Sequence, residues 1–283
     1  MNFFIWLTLL LIILFAIAAY KILSTTEFHG IETPKNAKNK LDIRHTILSI
    51  IFYPIGFTTF IFTILTLTPL VFILHPKRVG WAIRFYGRLM LLSFGVIVKL
   101  NGKEKLKRDK AYLLLINHES LFDVFLLGCL TFRQVTALGA AYQFKLPLWG
   151  MMLKRYGIIP LKRRKTNEAI EAVEMAREKL ENGICVFLAP EGTRTDDGAL
   201  KPFKKGGFHL AFGAKADILI VGFKGAFEIK RKTDWRIRPG KVTIDVGDFI
   251  LYDDYKDKSI EELQFIVREQ MLQILEKGKI NQV

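Results

Sequence analysis

Charged residues are missing from two long stretches near the start of the chain and evenly spread after them. Residues 3–20 hold no charge, and Thr8 is their only strongly polar side chain. Eighteen helical residues reach about 27 Å, close to the thickness of a bilayer core. Trp6 and Tyr20 stand near the two ends, where amphipathic rings favour the membrane interface, and Lys21 follows. A cleaved leader would place basic residues before its apolar run; here none precedes it, so the pattern predicts a retained anchor over 3–20. Residues 46–74 form a second charge-free stretch, interrupted by Pro54, Gly56 and Pro69. As one straight helix it would reach about 43 Å, longer than the hydrocarbon core, so it reads as a tilted or kinked second span or as a re-entrant segment. Residues 76–98 then mix Arg84 and Arg88 with Trp81, Phe85 and Tyr86. They predict a helical lead-in that either lies in the lipid boundary or joins the next core.

From Val96 onward, short apolar runs alternate with helical patterns. Strands are predicted over 96–100, 111–116, 135–138, 157–161, 184–189, 218–223 and 241–246. Helices are predicted over 119–130, 167–181, 206–214 and 259–276, with a loop and short helix over 146–156. The helix at 167–181 is the clearest, because Ala169, Val173, Ala176 and Leu180 recur at helical spacing, with Thr166 to cap it and Gly183 to end it. Strands interleaved with helices predict an α/β fold with a central mixed sheet flanked by helices and preceded by the membrane-associated helices. The domain organisation is therefore an anchor over 1–75 and a globular domain over 76–283.

Composition sharpens this picture. The chain has 283 residues, 51% hydrophobic, and a formal net charge of +15. Residues 76–283 carry +13 of that charge, which calls for a negative partner: anionic lipid, a phosphorylated substrate, an acidic carrier protein or nucleic acid. Nucleic acid has the least support, since no recognition module is visible. Lys and Arg crowd the segment from Lys77 to Arg108, which places the domain on the cytoplasmic side of the membrane. The two cysteines, Cys129 and Cys185, are too few for a disulfide framework or a cysteine-built metal site and read as reduced core residues.

Polar residues with chemical capacity collect where predicted strands end, the edge at which α/β sheets gather their ligands. His118 follows the strand at 111–116, and Asp123 stands five residues later. In one straight helix the two would not share a face, but a turn at His118 brings them together. An Asp that accepts from Nδ1 fixes the imidazole tautomer and leaves Nε2 free as a base. With 12 Asp and five His in the chain, that spacing alone is commonplace. Glu191 and Arg194 follow the strand at 184–189, and a guanidinium there can grip a phosphate through a two-pronged contact. Two further basic clusters, Lys162 to Lys165 and Lys201 to Lys205, also follow strands, the latter leading into a helix start.

Taken together, these segments resemble the glycerolipid acyltransferase family, notably the 1-acyl-glycerol-3-phosphate (lysophosphatidic acid) acyltransferases. Asn117-His118-x-Ser120-x-x-Asp123 matches the family's first motif, Gly157-x-Ile159-x-Leu161-x-Arg163 resembles its second, and Pro190-Glu191-Gly192-Thr193-Arg194 matches its third. Phe203-Lys204-Lys205-Gly206 resembles a common following segment. The resemblance covers about residues 90–225, and its first and third motifs lie about 70 residues apart. Departures are Ala189 where Phe is usual, Ala140 where many members carry Lys, and Ile220 where Pro is usual.

The resemblance implies an O-acyltransferase that moves an acyl group from a thioester to the free hydroxyl of a lysolipid, most simply 1-acyl-glycerol-3-phosphate, giving phosphatidic acid for phospholipid synthesis. His118 would be the general base and Asp123 its orienting partner. Asn117, Ser120, Arg163, Glu191, Gly192, Thr193, Arg194 and Lys204 would line the acceptor site. Acyl-coenzyme A or an acyl carrier protein would be the donor, with no metal and no other cofactor. A rival role for Ser120 as nucleophile is poorly placed two residues after its base. The departures leave room for a different acceptor, a lysophospholipid or an amino-acid lipid. A non-enzymatic binder of anionic membranes would account for the charge alone.

Overall fold

A computed structural model describes residues 43–107, 109–162 and 166–276; the stretch at 3–20 and Arg163 lie outside them. Seven strands form one sheet in the order β1-β7-β6-β2-β5-β3-β4. They are β1 (Val96–Asn101), β2 (Tyr112–Ile116), β3 (Val135–Ala140), β4 (Ile159–Leu161), β5 (Cys185–Leu188), β6 (Asp217–Lys224) and β7 (Gly240–Ile250). All neighbouring pairs are parallel except β6 with β7. The helices are α1 (Ile43–Ile73), α2 (Gly80–Ser93), α3 (Asp123–Cys129), α4 (Trp149–Tyr156), α5 (Thr166–Glu181), α6 (Gly206–Gly213), α7 (Ala226–Ile229), α8 (Tyr252–Tyr255) and α9 (Ile260–Glu276).

Central strands covered on both faces must be apolar at every position, and β2 is buried throughout. Tyr112, Leu114 and Ile116 face the core layer shared with α1 to α4, whereas Leu113 and Leu115 face the layer under α5, α6 and α9. β6 divides the same way, with Leu219, Val221 and Phe223 on the first side and Ile218 and Ile220 on the second. Ile220, one of the departures from the family pattern, is thus wholly enclosed in the sheet. Cys129 and Cys185 are free and buried.

The stretch at 46–74 forms neither a re-entrant hairpin nor two pieces: α1 is a single helix that runs through Pro54 and Pro69. Its length and hydropathy would suit a span, yet its contacts with the domain run along it. Ser49 and Val71, near its two ends, are both buried. The Oγ of Ser49 accepts from the amide of Ile237 at 2.8 Å, and Phe60 packs on Trp149 with ring centres 5.3 Å apart. At Gly56 the ring of Phe94 occupies the side-chain position: a Cβ there would lie 2.1 Å from Cζ. The opposite face of α1 leaves Ile47, Ile51, Phe62 and Phe72 exposed. The next helix, α2, joins the core through one face and leaves apolar side chains exposed on another. Ala82, Met90 and Leu91 enter the core, while Trp81, Phe85 and Leu92 stay exposed beside the apolar face of α1.

Candidate active site

β6, β2 and β5 are adjacent and parallel, so their C-terminal ends lie side by side. The segments that leave them, residues 117–122, 189–205 and 225–238, build the site. The sequence predicts a helix from Glu119, but α3 begins at Asp123. The intervening residues turn so that the Asp123 carboxylate folds back over them. Its Oδ2 accepts from the amides of Glu119 and Ser120 at 2.9 and 3.0 Å and meets His118 Nδ1 at 2.6 Å. Side-chain exposure is 20% for His118 and 3% for Asp123, which leaves the imidazole as the solvent-facing member. Nε2 of His118 carries no hydrogen bond among the described residues. A buried carboxylate behind Nδ1 and an open Nε2 in front are the arrangement that a general base of fixed tautomer requires.

The segment after β5 grips His118 from both sides. Glu191 Oε1 accepts from the His118 amide at 2.7 Å, and the Thr195 amide donates to the His118 carbonyl at 2.9 Å. The other oxygen of Glu191 accepts from the Lys201 amide at 2.8 Å. Burial pushes the Glu191 carboxyl above the ordinary carboxylate range, opposed by the amides of His118 and Lys201. Each of its oxygens accepts from a backbone amide, so Glu191 braces two loops. Thr195 had no signal in the sequence beyond its place after Arg194.

Asn117 and Ser120 are likewise structural. The Asn117 side chain exchanges hydrogen bonds with both backbone groups of Phe223, at 2.9 and 2.7 Å, and donates to Glu119 Oε1 at 2.8 Å. This ties the end of β2 to the end of β6. Ser120 Oγ donates to the Lys230 carbonyl at 3.0 Å and is buried. Its hydroxyl makes no hydrogen bond to His118 and accepts from the Phe122 amide at 3.4 Å.

Gly192 has φ of +71°, and the Lys204 side chain lies against it, with Cδ 2.9 Å from where a Cβ would stand. A side chain at position 192 would be strained and would displace Lys204. Lys204 is fixed there by its own amide, which donates to the Pro190 carbonyl at 2.8 Å. Thr193 and Arg194 are half-buried beside it, and the Arg194 guanidinium has no acidic partner among the described residues. Lys162 pairs with Glu168 at 2.8 Å, as a solvated loop would.

An apolar cavity of about 150 Å³ opens beside this site, between α1, α2, α3, α4 and the sheet. Val124 and Phe125, which directly follow Asp123, line it, together with Leu67, Met90 and Trp149. It is not legible in the sequence, because its walls come from four helices and the sheet.

Residues 97–224 match the family model described as acyltransferase. Among curated proteins, the chain is 29% identical over 175 residues to the 1-acyl-sn-glycerol-3-phosphate acyltransferase of Cocos nucifera, covering 62% of this chain and 56% of that protein. It is 29% identical to the Saccharomyces cerevisiae protein of the same name, covering 69% and 65%, and to the alpha form from Bos taurus, covering 66% and 67%. The chain thus spans a little over half the length of the coconut relative. Among solved structures, the 1-acyl-sn-glycerophosphate acyltransferase of Thermotoga maritima superimposes with a TM-score of 0.69 at 24% identity, over 83% of this chain and 97% of that one. That likeness establishes the mixed α/β fold.

Proposed function

We propose that this chain, which carries an acyltransferase domain over residues 97–224, acylates the free hydroxyl of 1-acyl-glycerol-3-phosphate to give phosphatidic acid. The observation that carries the reading is the His118–Asp123 pair at 2.6 Å with Nε2 open, beside a partnerless Arg194. The relatives' names supply the acceptor.

In the reaction, His118 Nε2 takes the proton as the acceptor hydroxyl attacks the thioester carbonyl carbon. A C–O bond forms, the C–S bond breaks, and the departing thiolate receives the proton back from the imidazolium. Asp123 stabilises that imidazolium, and general-base help of this kind is worth about 10²–10⁴-fold. Arg194, Lys204 and Arg163 hold the acceptor phosphate by charge-assisted hydrogen bonds. The apolar cavity beside Val124 and Phe125 receives hydrocarbon from one of the substrates. The donor is acyl-coenzyme A or an acyl carrier protein, both of which suit the +13 of residues 76–283. The domain works on the cytoplasmic face, where both donors are found.

The test is thiol release from acyl-coenzyme A by membranes containing the protein, with 1-acyl-glycerol-3-phosphate added. Release that depends on the acceptor and falls at least 10²-fold in His118→Ala supports the reading. Equal release from both proteins overturns the mechanism. Release with another lysolipid only overturns the acceptor.

A further inference from the structure

The segment 230–238, beyond the family-matched region, presents five basic residues and one acid in nine positions. It runs as a strap from the catalytic turn to α1. At one end Ser120 Oγ donates to the Lys230 carbonyl at 3.0 Å; at the other Tyr53 donates to the Trp235 carbonyl at 2.5 Å. Its middle is stitched to the segment after β5. Lys232 reaches Asp196 at 2.7 Å, Lys201 holds the same carboxylate, and Lys201 Nζ also donates to the Arg194 carbonyl at 2.9 Å. The strap and the Arg194 loop are therefore tied to each other and to the turn that carries His118.

The charges in those two segments do not balance. Residues 191–201 and 230–238 hold seven basic and four acidic side chains. The acids are already engaged. Glu191 is bound by backbone amides, Asp197 by Thr195 and the Ala199 amide, Asp196 by Lys201 and Lys232, and Asp234 by Arg236 and Arg238. Among the described residues, three cations remain without a carboxylate in direct contact: Arg194, Lys230 and Arg231. Lys230 Nζ donates to the carbonyls of Arg231 and Asp234, at 2.8 and 2.6 Å, which fixes its position but neutralises nothing. Arg231 lies over the Phe227 ring at 5.4 Å, and the Phe227 amide is held by Glu119 at 3.0 Å. Burial first and the Arg194 charge second push the Lys230 ammonium down to about 8, against the opposing charge of Asp234, which Arg236 and Arg238 already hold.

We infer that Lys230 and Arg231 join Arg194 in holding the phosphate of the acceptor, so that the strap, and not only the motif loops, selects a phosphorylated headgroup. The inference rests on the acceptor reading above and adds to it two residues from outside the matched domain. A dianionic phosphate beside these cations replaces the missing carboxylates, and loss of one charge-assisted contact weakens binding on the order of tenfold.

The experiment uses the full chain purified in detergent. Affinity for glycerol 3-phosphate is read by thermal shift, and KM for 1-acyl-glycerol-3-phosphate by phosphatidate formation. Lys230→Met and Arg231→Ala are each expected to weaken glycerol 3-phosphate binding and raise KM about tenfold, with Lys230→Arg recovering most of the loss. Unchanged affinity and KM in both Lys230→Met and Arg231→Ala overturn the inference alone. Should Lys230→Met fail to fold, Arg231→Ala, an exposed position, decides. A wild type that makes no phosphatidate yet binds glycerol 3-phosphate through these residues sinks the acceptor reading and keeps the strap site.

Discussion

Glu119 is the residue whose environment departs furthest from its appearance in the sequence. It stands between His118 and Ser120 like any polar turn residue, yet it is half-buried and accepts from Asn117 Nδ2 at 2.8 Å and the Phe227 amide at 3.0 Å. Burial first and the Asp123 charge second push its carboxyl up to about 8, from an ordinary 4.5. The folded state therefore keeps a proton that the unfolded chain releases. Stability is full below about 4.5, falls as pH rises toward 8, and levels off above it. Glu119→Gln removes this titration. It also sets an amide against a donor, a pH-independent loss of about 1–3 kcal/mol. The expected result is a difference in Tm between variant and wild type that moves in the variant's favour from pH 5 to 8 and is constant beyond. A parallel pair of Tm-versus-pH curves would refute the assignment. The neighbouring side chains show the general pattern. Motif residues were legible in the sequence because their types recur at fixed spacing. What each does was less legible, because Glu191 and Asn117 act on backbone groups 73 and 106 residues away.

Among the elements, α1 carries the clearest consequence. The Phe94 ring that occupies the Gly56 position is itself packed on Phe122, with centres 4.9 Å apart, and on Tyr53 at 6.3 Å. Phe122 immediately precedes Asp123. Helix α1 thus rests, through two rings, on the turn that holds the His118–Asp123 pair. Gly56→Ala sets two effects against each other. Alanine in a helix interior gains roughly 0.5–1 kcal/mol over glycine, whereas forcing a side chain into a filled site costs about 1–3 kcal/mol. Phe94 is buried and hemmed in by both rings, so overpacking wins, and the variant is expected to melt lower and turn over more slowly. A higher Tm with full activity would mean that Phe94 swings aside freely. The sequence shows a charge-free stretch with two prolines and a glycine, which suggests kinks. It does not show that the glycine is there to admit a ring from a residue 38 positions later. The central strands, by contrast, were readable, since burial on both faces leaves its mark at every position of β2 and at all but the last of β6.

For the whole molecule, the question is how a chain with a basic domain and an exposed apolar face meets its substrates. The buried positions of α1 extend from Ser49 to Val71, about 33 Å of helix. A crossing perpendicular to the bilayer would carry the docked domain in with it, along with charges such as Arg84 and Arg88. The arrangement that leaves every charge in water lays α1 along the interface, with Ile47, Ile51, Phe62 and Phe72 in lipid beside Trp81 and Phe85 of α2. The apolar cavity is walled in part by Leu67 and Val71 of α1. Membrane binding then has two separable parts, an apolar one from α1 and α2 and an ionic one from the domain. A chain of residues 43–283, lacking the stretch at 3–20, is expected to float with vesicles that contain anionic lipid. Binding to neutral vesicles should be weaker and insensitive to salt, whereas binding to anionic ones should fall toward that level as salt rises, because only the ionic part is screened. Recovery of the shortened chain in the soluble fraction with both kinds of vesicle would show that α1 and α2 do not hold the membrane, and would return that role to residues 3–20.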